Sequence, residues 1–180
     1  MPASLIQLHS TILKHNFEMA NLKLELDEAD DDFALLAIHC SEEEFKLAYL
    51  LNLHLRTRFT RRKTDLDFTK GEWVASFPIY DFEDGQNYNF FHLVSNKSRI
   101  MGTTSGNSVG LFESSALEKS KIQYLFPEFR KVDYFLKIYS DFESISLRNL
   151  IHQISQIKEV ISAYEVKLCD MKNKDNLIFD

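Results

Sequence analysis

The chain has 180 residues, 44% of them hydrophobic and 27% charged, with a formal net charge of −6. This composition is typical of a folded protein rather than a disordered one, and the negative charge argues against a protein that mainly coats a phosphate backbone. Two cysteines, Cys40 and Cys169, are too few for a disulfide scaffold or a four-cysteine zinc site.

The N-terminal residues lack the basic region and apolar core of a signal peptide, and no stretch approaches the roughly 18 apolar residues of a membrane helix. We therefore expect a cytoplasmic protein that does not contact a membrane. Residues 3–15 have the spacing of an amphipathic helix, so we predict an N-terminal segment at 1–19 and a single domain at 20–180. Residues 21–27 alternate like a strand, and the acidic run at 27–32 is interpreted as a solvated turn.

A strand followed by a helix is predicted next. Phe33–Ile38 is continuously apolar, as in a strand buried on both faces. Ser41 and Glu44 then have the spacing of a capping box, which predicts a helix that starts near Ser41 and runs to Leu55. The face of this helix that we expect to be buried contains Phe45, Leu47, Ala48, Tyr49, Leu50, Leu51 and Leu55.

The middle of the chain has the pattern of antiparallel hairpins. Strands are predicted at 73–82 and 88–96, joined by a turn whose Asp84-Gly85 pair is a strong hairpin signal. Gly102–Gly110 is interpreted as a hairpin tip, because it lacks the Gly-Lys-Ser/Thr ending of a phosphate loop. A further strand is predicted at 121–126. We expect four aromatic residues in the hairpins to be exposed binding anchors: Phe82, Tyr88, Phe90 and Phe91.

The sequence pattern of the last third of the chain predicts a strand, a helix and a second strand. Residues 132–138 alternate, residues 147–157 have helical spacing after a possible cap at Ser140, and residues 160–168 alternate again. A strand-helix-strand pattern thus occurs near each end of the chain. The sequence therefore predicts an α+β fold, with a mainly antiparallel sheet, two or three packed helices and ferredoxin-like or ACT-like β-α-β elements.

One motif carries a family resemblance. Residues 126–134 read Phe-Pro-Glu-Phe-Arg-Lys-Val-Asp-Tyr and closely resemble the signature that names the IPExxxVDY family of bacterial proteins, with Phe126 in place of Ile. Further blocks between residues 20 and 179 are similar to that family. The resemblance implies a cytoplasmic bacterial protein and carries over no catalytic residues. The positions that match the signature are Pro127, Glu128, Val132, Asp133 and Tyr134.

Glu128 and Asp133 have two interpretations. They would be paired carboxylates for acid-base chemistry only if a turn brought them together, because residues at this spacing on a strand point to opposite faces. The favoured interpretation is structural. In it, Glu128 pairs with Arg130 or Lys131, Asp133 caps a turn or meets a basic neighbour, and Tyr134 packs in the core.

His39 and Cys40 are a weak candidate site for a thiolate-imidazole pair. Adjacent strand residues point to opposite faces, so we favour a buried, hydrogen-bonded His39. The six histidines show no i, i+4 metal spacing, and no nucleotide or hydrolase fingerprint is present. We expect no metal and no cofactor, and we lean against an enzyme.

The densest positive charge lies in five residues within eight positions, which are Arg56, Arg58, Arg61, Arg62 and Lys63. Such a cluster can bind RNA, an acidic protein or a phosphorylated ligand, although a solvated helix end is the favoured interpretation. We therefore predict a non-enzymatic protein- or ligand-binding or regulatory module, which contacts a partner protein or self-associates. The alternative is an RNA-associated factor that uses this basic cluster.

Overall fold

The structure, a computed structural model, describes residues 33–70, 73–100, 121–140 and 145–179. The predictions for residues 3–15, 21–27, 27–32 and 102–110, and for the domain boundary at residue 19, lie outside these ranges. The described helices are α1 (Glu44–Leu55) and α2 (Leu147–Ser155), and neither is long and apolar enough to cross a membrane. The described strands are β1 (Phe33–Cys40), β2 (Thr60–Arg61), β3 (Leu66–Lys70), β4 (Trp73–Phe77), β5 (Ile79–Asp84), β6 (Asn89–Ser95), β7 (Lys97–Ile100), β8 (Lys121–Tyr124), β9 (Tyr134–Tyr139) and β10 (Val160–Glu165).

Six of the strands form one sheet in the order β10-β1-β9-β6-β5-β2, and every neighbouring pair in it is antiparallel. Two further hairpins, β3-β4 and β7-β8, form separate two-stranded sheets. The predicted α+β class with a mainly antiparallel sheet and two helices is confirmed.

The strands β1 and β9 in the large sheet are buried on both faces, which explains the continuous apolar run of β1. Leu36 and Ile38 belong to the core that also contains the buried residues of α1 and α2. Leu35 and Ala37 belong to a second core, formed with the two small hairpins and the C-terminal residues 166–179. The fold is therefore layered, with helices on one face of the sheet and hairpins with the C-terminal segment on the other.

The helix starts differ from the predicted ones. The α1 N-cap is Glu43, with extended backbone and no capping side-chain hydrogen bond, so the capping box at Ser41 is wrong. The backbone carbonyl of Glu42 accepts a hydrogen bond from the Tyr134 hydroxyl, which holds the preceding loop in place instead. Helix α2 is capped by Ser146, whose Oγ accepts from the Asn149 amide at 3.4 Å, rather than by Ser140.

The predicted buried face of α1 is wrong at two positions. Phe45 and Tyr49 are each 63% exposed, whereas Leu47, Ala48 and Leu51 are fully packed. Residues three and four apart share a helix face, so Leu47, Ala48 and Leu51 are the side chains that pack against the sheet. The two aromatic residues consequently lie on the opposite, solvent-facing side of α1.

The strand predicted at 73–82 is divided at Pro78. Proline has no backbone N–H to donate to a ladder, and the chain leaves the small sheet at Phe77 and enters the large one at Ile79. This break allows the β3-β4 hairpin to cover the second face of the large sheet. Strands β5 and β6 pair as the predicted hairpin. The turn between them spans residues 85–88. The Asp84 carboxylate stabilises this turn, because it accepts a hydrogen bond from the Gln86 amide at 3.1 Å.

The hairpin aromatics are only partly available as anchors. Tyr88 and Phe90 are exposed, as predicted. Phe91 is buried, and half-buried Phe82 stacks on it with ring centres 5.4 Å apart. The expectation of four exposed anchors is therefore wrong for Phe82 and Phe91, which pack against the helical core.

Candidate functional site

The motif at residues 126–134 is organised by a residue outside it, Asn96, whose side chain is fully buried. Its amide nitrogen donates to the carbonyls of Phe129 at 2.8 Å and Val132 at 3.0 Å. Its amide oxygen accepts from the Phe126 amide at 2.9 Å, and its own backbone N–H donates to the Asp133 carbonyl at 2.8 Å. A single side chain thus satisfies three backbone groups of the 3-10 turn at Pro127–Phe129 and its flanks.

Asp133 and Tyr134 connect the motif to the end of β1 and the start of α1. Asp133 accepts from the Cys40 backbone amide at 3.0 Å and forms an ion pair with Lys97. Tyr134 donates to the Glu42 carbonyl, and burial raises the pKa of its hydroxyl well above the ordinary range. Asp133 meets a basic neighbour, and Tyr134 packs in the core with its hydroxyl bonded to the backbone.

Glu128 holds the C-terminal segment. Its carboxylate accepts from the backbone amides of Lys172 at 2.9 Å and Asn173 at 3.3 Å, and from the Asn173 side chain at 3.0 Å. These groups take the place of the expected partners Arg130 and Lys131. Because Glu128 and Asp133 bind different segments, the structure does not bring them together as a catalytic pair.

Arg62 of the basic cluster is half-buried and structural. Its guanidinium binds Asp81 through two contacts, at 2.7 and 3.2 Å, and also donates to the carbonyl of Phe179. His92 Nδ1 lies 2.8 Å from the same Asp81 carboxylate. The network joins β5, β6 and the end of the C-terminal segment, so Arg62 is not available to a partner.

The rest of the basic cluster is exposed. Arg61 binds both oxygens of Asp65 at 2.8 Å, which compensates its charge. Arg56, Arg58 and Lys63 are exposed and form no ion pair among the described residues. The five predicted cations thus separate into two that are paired within the fold and three that face solvent.

The weak candidate pair of His39 and Cys40 is not assembled, and the favoured interpretation of a buried His39 is also wrong, because this side chain is only half-buried. Cys40 is buried in the helical core, where burial raises the pKa of its thiol. His39 is half-buried on the other face of β1 and stacks on Tyr164, with ring centres 5.8 Å apart. A raised thiol pKa disfavours the nucleophilic thiolate, so neither residue has the surroundings of a catalytic group.

We expect a thiol-reactive reagent to distinguish the two cysteines. Cys169 is exposed and Cys40 is buried, so Ellman's reagent should modify one thiol rapidly in the native protein and the second only in denaturant. A Cys169→Ser variant isolates the slow thiol. Rapid native labelling of that variant would show an accessible, reactive Cys40 and revive the His39-Cys40 site.

Two cavities flank the motif. One is an apolar cavity of about 400 Å³ between the β3-β4 hairpin, the β7-β8 hairpin and the C-terminal segment. The Asn176 side chain at its wall donates to the Leu125 carbonyl at 2.7 Å, which fixes the orientation of the amide. The described residues that line the cavity include no charged side chain, and they are Phe68, Thr69, Ala75, Phe77, Ile100, Gln123, Tyr124, Leu125, Pro127, Asn173 and Asn176.

The other is an open polar cleft of about 560 Å³ beside the start of α1. Its wall includes Asp133, Tyr134, Lys97 and Cys40. These groups are engaged with one another or with the backbone, as described above, and no group of three metal-ligating side chains occurs in the described part of the chain. The wall also contains three consecutive glutamates, residues 42–44, so the cleft is polar and acidic, in contrast to the apolar cavity, whose described lining has no charged side chain.

Lys137 is a buried cation that the sequence analysis missed. Its side chain lies on β9 at 4% exposure and donates to the Leu177 carbonyl at 2.7 Å. Its ammonium also lies 4.3, 4.5 and 5.3 Å from the ring centres of Phe33, Tyr139 and Phe179. Cation–π attraction and one carbonyl stabilise this charge. The contacts of Lys137 with Leu177 and Phe179 also attach the C-terminal segment to β9.

We expect the attachment of the C-terminal segment to weaken in acid. Burial raises the pKa values of Asp81 and Glu128, but hydrogen bonds from Arg62 and His92, and from residues 172 and 173, lower them more, so both lie below their ordinary values. Such carboxyls bind protons more readily in the unfolded chain. Their contribution to stability is thus complete above about pH 5 and lost as the pH falls through the lowered folded-state values.

Urea unfolding at pH 7, 5, 4 and 3, with hydrogen exchange of the amides at 171–177, measures this effect. An Asp81→Asn and Glu128→Gln double variant should show a flatter pH dependence than the wild-type protein. A wild-type free energy of unfolding that stays constant down to pH 3 contradicts the assignment.

Comparison of the chain with protein-family models, with curated proteins and with solved structures finds no match.

Proposed function

We propose that the protein is a non-enzymatic binding module whose apolar cavity takes a small, uncharged and largely apolar molecule. The observation that carries this proposal is the cavity lining, which has aromatic and aliphatic walls and no charged side chain among the described residues. Its volume of about 400 Å³ lies within the range of about 300–1,000 Å³ that is typical of ligand sites. A charged ligand would lose its hydration there without gaining an ionic partner from the described lining residues.

The polar groups of the cavity support recognition by hydrogen bonds. Asn173 and Asn176 each donate their amide nitrogen within the fold, to Glu128 and to the Leu125 carbonyl, so their oxygens are held as acceptors. Gln123 adds a third amide. We therefore expect ligands with an apolar ring and one or two N–H or O–H donors, such as indole.

A cavity-filling variant tests this function. Ala75 is buried in the cavity wall, and Ala75→Leu places three additional carbons in the space that the ligand needs. Isothermal titration with a panel of neutral aromatic fragments that includes indole should detect binding to the wild-type protein and at least a tenfold weaker affinity for the variant. The same substitution on the helical side of the sheet, Ala163→Leu, serves as the matched control.

Circular dichroism verifies that both variants fold, and Thr69→Trp at the exposed rim offers a second block that leaves the core unchanged. The proposal is abandoned if no neutral fragment binds the wild-type protein. It is also abandoned if Ala75→Leu and Ala163→Leu bind the fragments equally well.

The alternative function is association with RNA through the basic cluster. It is supported by the exposure of Arg56, Arg58 and Lys63, and it is weakened by the internal ion pairs of Arg61 and Arg62. Two results would favour RNA binding. The affinity for single-stranded RNA should fall steeply between 50 and 200 mM salt, as expected of phosphate contacts, and it should be lost in an Arg58→Glu and Lys63→Glu double variant. Absence of RNA binding at either salt concentration excludes it.

We also propose a ferredoxin-like or ACT-like core composed of β1, α1, β6, β9, α2 and β10, with the other strands as insertions and as an extension of the sheet. The order β10-β1-β9-β6 and its antiparallel pairing support this arrangement, since a split β-α-β fold places its fourth strand beside the first and its third between the first and second. Membership of the IPExxxVDY family, and with it a cytoplasmic location, are likewise proposals. Homologous sequences that retain Asn96 together with the motif would support them.

A further inference from the structure

Helix α1 has an exposed apolar stripe opposite its packed face. Phe45, Tyr49 and Leu53 are 63%, 63% and 61% exposed. They follow one another at four-residue spacing, so they form a single ridge along the helix. A surface helix normally presents polar residues on this side, and adjacent exposed apolar side chains of this size mark an interaction surface.

The two ends of α1 carry opposite charges. Its N-terminal end holds the exposed Glu43, followed by Glu44 in the first turn. Its C-terminal end holds His54 in the last turn, and the exposed Arg56 and Arg58 follow it. Glu43, Arg56 and Arg58 form no ion pair among the described residues, so both ends are available to an opposite charge.

We propose that the protein self-associates through this stripe, with the α1 helices of two copies packed antiparallel about a two-fold axis at Tyr49. In such a contact, residues equally distant from Tyr49 on either side face each other. Glu43 then lies opposite the residues that end α1 in the second copy, next to Arg56 of the partner subunit. The two-fold axis makes this attraction occur twice, as an isologous interface requires.

The shape of the stripe fits this arrangement. Ridges formed by residues four apart interdigitate with equivalent ridges at a crossing angle of about 50°, which is the commonest helix packing. The central Tyr49 of each copy lies against the apolar ridge of the other, and its hydroxyl remains at the edge in water. A second copy offers this ridge and the complementary end charges on one helix, which is why we favour it over an unrelated partner.

The size of the stripe indicates that the association is weak. Three side chains with roughly 100–150 Å² exposed each, estimated from the full areas of large side chains, give only about half of the roughly 800 Å² that each partner buries in a standard interface. We therefore expect a dissociation constant of about 10–100 µM, with monomer and dimer in exchange.

Sedimentation equilibrium of the full chain between 5 and 500 µM tests the proposal. We expect a concentration-dependent dimer, and Tyr49→Glu should raise its dissociation constant at least tenfold because it places charges at the axis. The matched control is Tyr88→Glu, which changes another exposed tyrosine, on the β5-β6 turn, and should leave the equilibrium unchanged. Leu53→Glu provides a second disruption at an exposed position.

The charge contacts have a separate test. Glu43→Arg and Arg56→Glu should each raise the dissociation constant several-fold at low salt, and the double variant should restore it because the pairing is reversed. A wild-type chain that stays monomeric at 500 µM overturns the proposal. Equal weakening by Tyr49→Glu and Tyr88→Glu, or no recovery in the double charge variant, also overturns it.

Discussion

Replacing Asn96 with leucine is expected to destabilise the protein by about 3–5 kcal/mol. Leucine matches the shape of asparagine but cannot bond the amide of Phe126 or the carbonyls of Phe129 and Val132, which Asn96 serves in the wild-type protein. The Phe129 carbonyl keeps the Val132 amide as a donor at 2.9 Å, but the Phe126 amide and the Val132 carbonyl lose the partner that Asn96 supplies, and each such buried backbone group costs about 1–3 kcal/mol. Chemical denaturation measures the change, and the melting temperature should fall by roughly 10 °C.

A second asparagine gives the control for this experiment. Asn87 also bonds through its side chain, to Asp84 at 2.7 Å, but in an exposed turn where water can replace the contact. Asn87→Leu should therefore cost less than about 1 kcal/mol. If Asn96→Leu costs no more than Asn87→Leu, Asn96 is not the residue that holds the motif in place.

Replacing Arg62 with alanine is expected to cost about 2–3 kcal/mol and to loosen the C-terminal segment. The substitution removes two contacts to Asp81 and the donor to the Phe179 carbonyl, in surroundings where the guanidinium is half-buried. It leaves Asp81 with His92 as its remaining partner, and loss of one member of a partly buried charge pair is expensive. Hydrogen exchange should increase at residues 171–179 before it increases in the central strands.

The adjacent Arg61 provides a matched comparison, because the same substitution there removes a bidentate pair with an exposed arginine. Such surface pairs contribute less than about 1 kcal/mol, so Arg61→Ala should leave the stability and the C-terminal segment nearly unchanged. Equal effects of the two variants would falsify the structural role of Arg62. The difference also matters for RNA binding, since loss of binding in Arg62→Ala reports an altered fold as well as a lost charge.

The elements that sequence periodicity predicted are those whose residues face a core. Both helices and the strand at β9 have apolar residues at regular spacing, and β1 is continuously apolar, because buried layers cover both faces of the sheet at these strands. Periodicity gave the wrong result for Phe45 and Tyr49, which are exposed. An apolar residue on a helix does not by itself show that the core of the same chain covers it. Pro78 was the one local signal against a continuous strand at 73–82, and its missing N–H explains the division.

The organisation of the site was less predictable. Asn96 and Lys137 act through contacts with residues distant in the chain. Asn96 stands in a polar run with its two neighbours, and Lys137 is a single polar residue between apolar ones, so neither gives a periodic signal of its burial. The motif positions Glu128 and Asp133 were identified as important, but their partners, the amides of residues 172, 173 and 40, are backbone groups that every sequence contains. Only the folded topology determines which of those amides a carboxylate meets.

The position of β1 within the sheet has a consequence for the synthesis of the chain. β1 pairs only with β9 and β10, and its last residue bonds to Asp133, 93 positions later. At about 5–20 residues per second, a ribosome needs on the order of 5–20 s to supply those partners. During that interval the uncharged, apolar FALLAIHC segment is exposed to aggregation. Acidic residues flank it, Asp30, Asp31 and Asp32 before it and Glu42, Glu43 and Glu44 after it. We expect these charges to act as gatekeepers that keep the nascent chain soluble until the sheet can close.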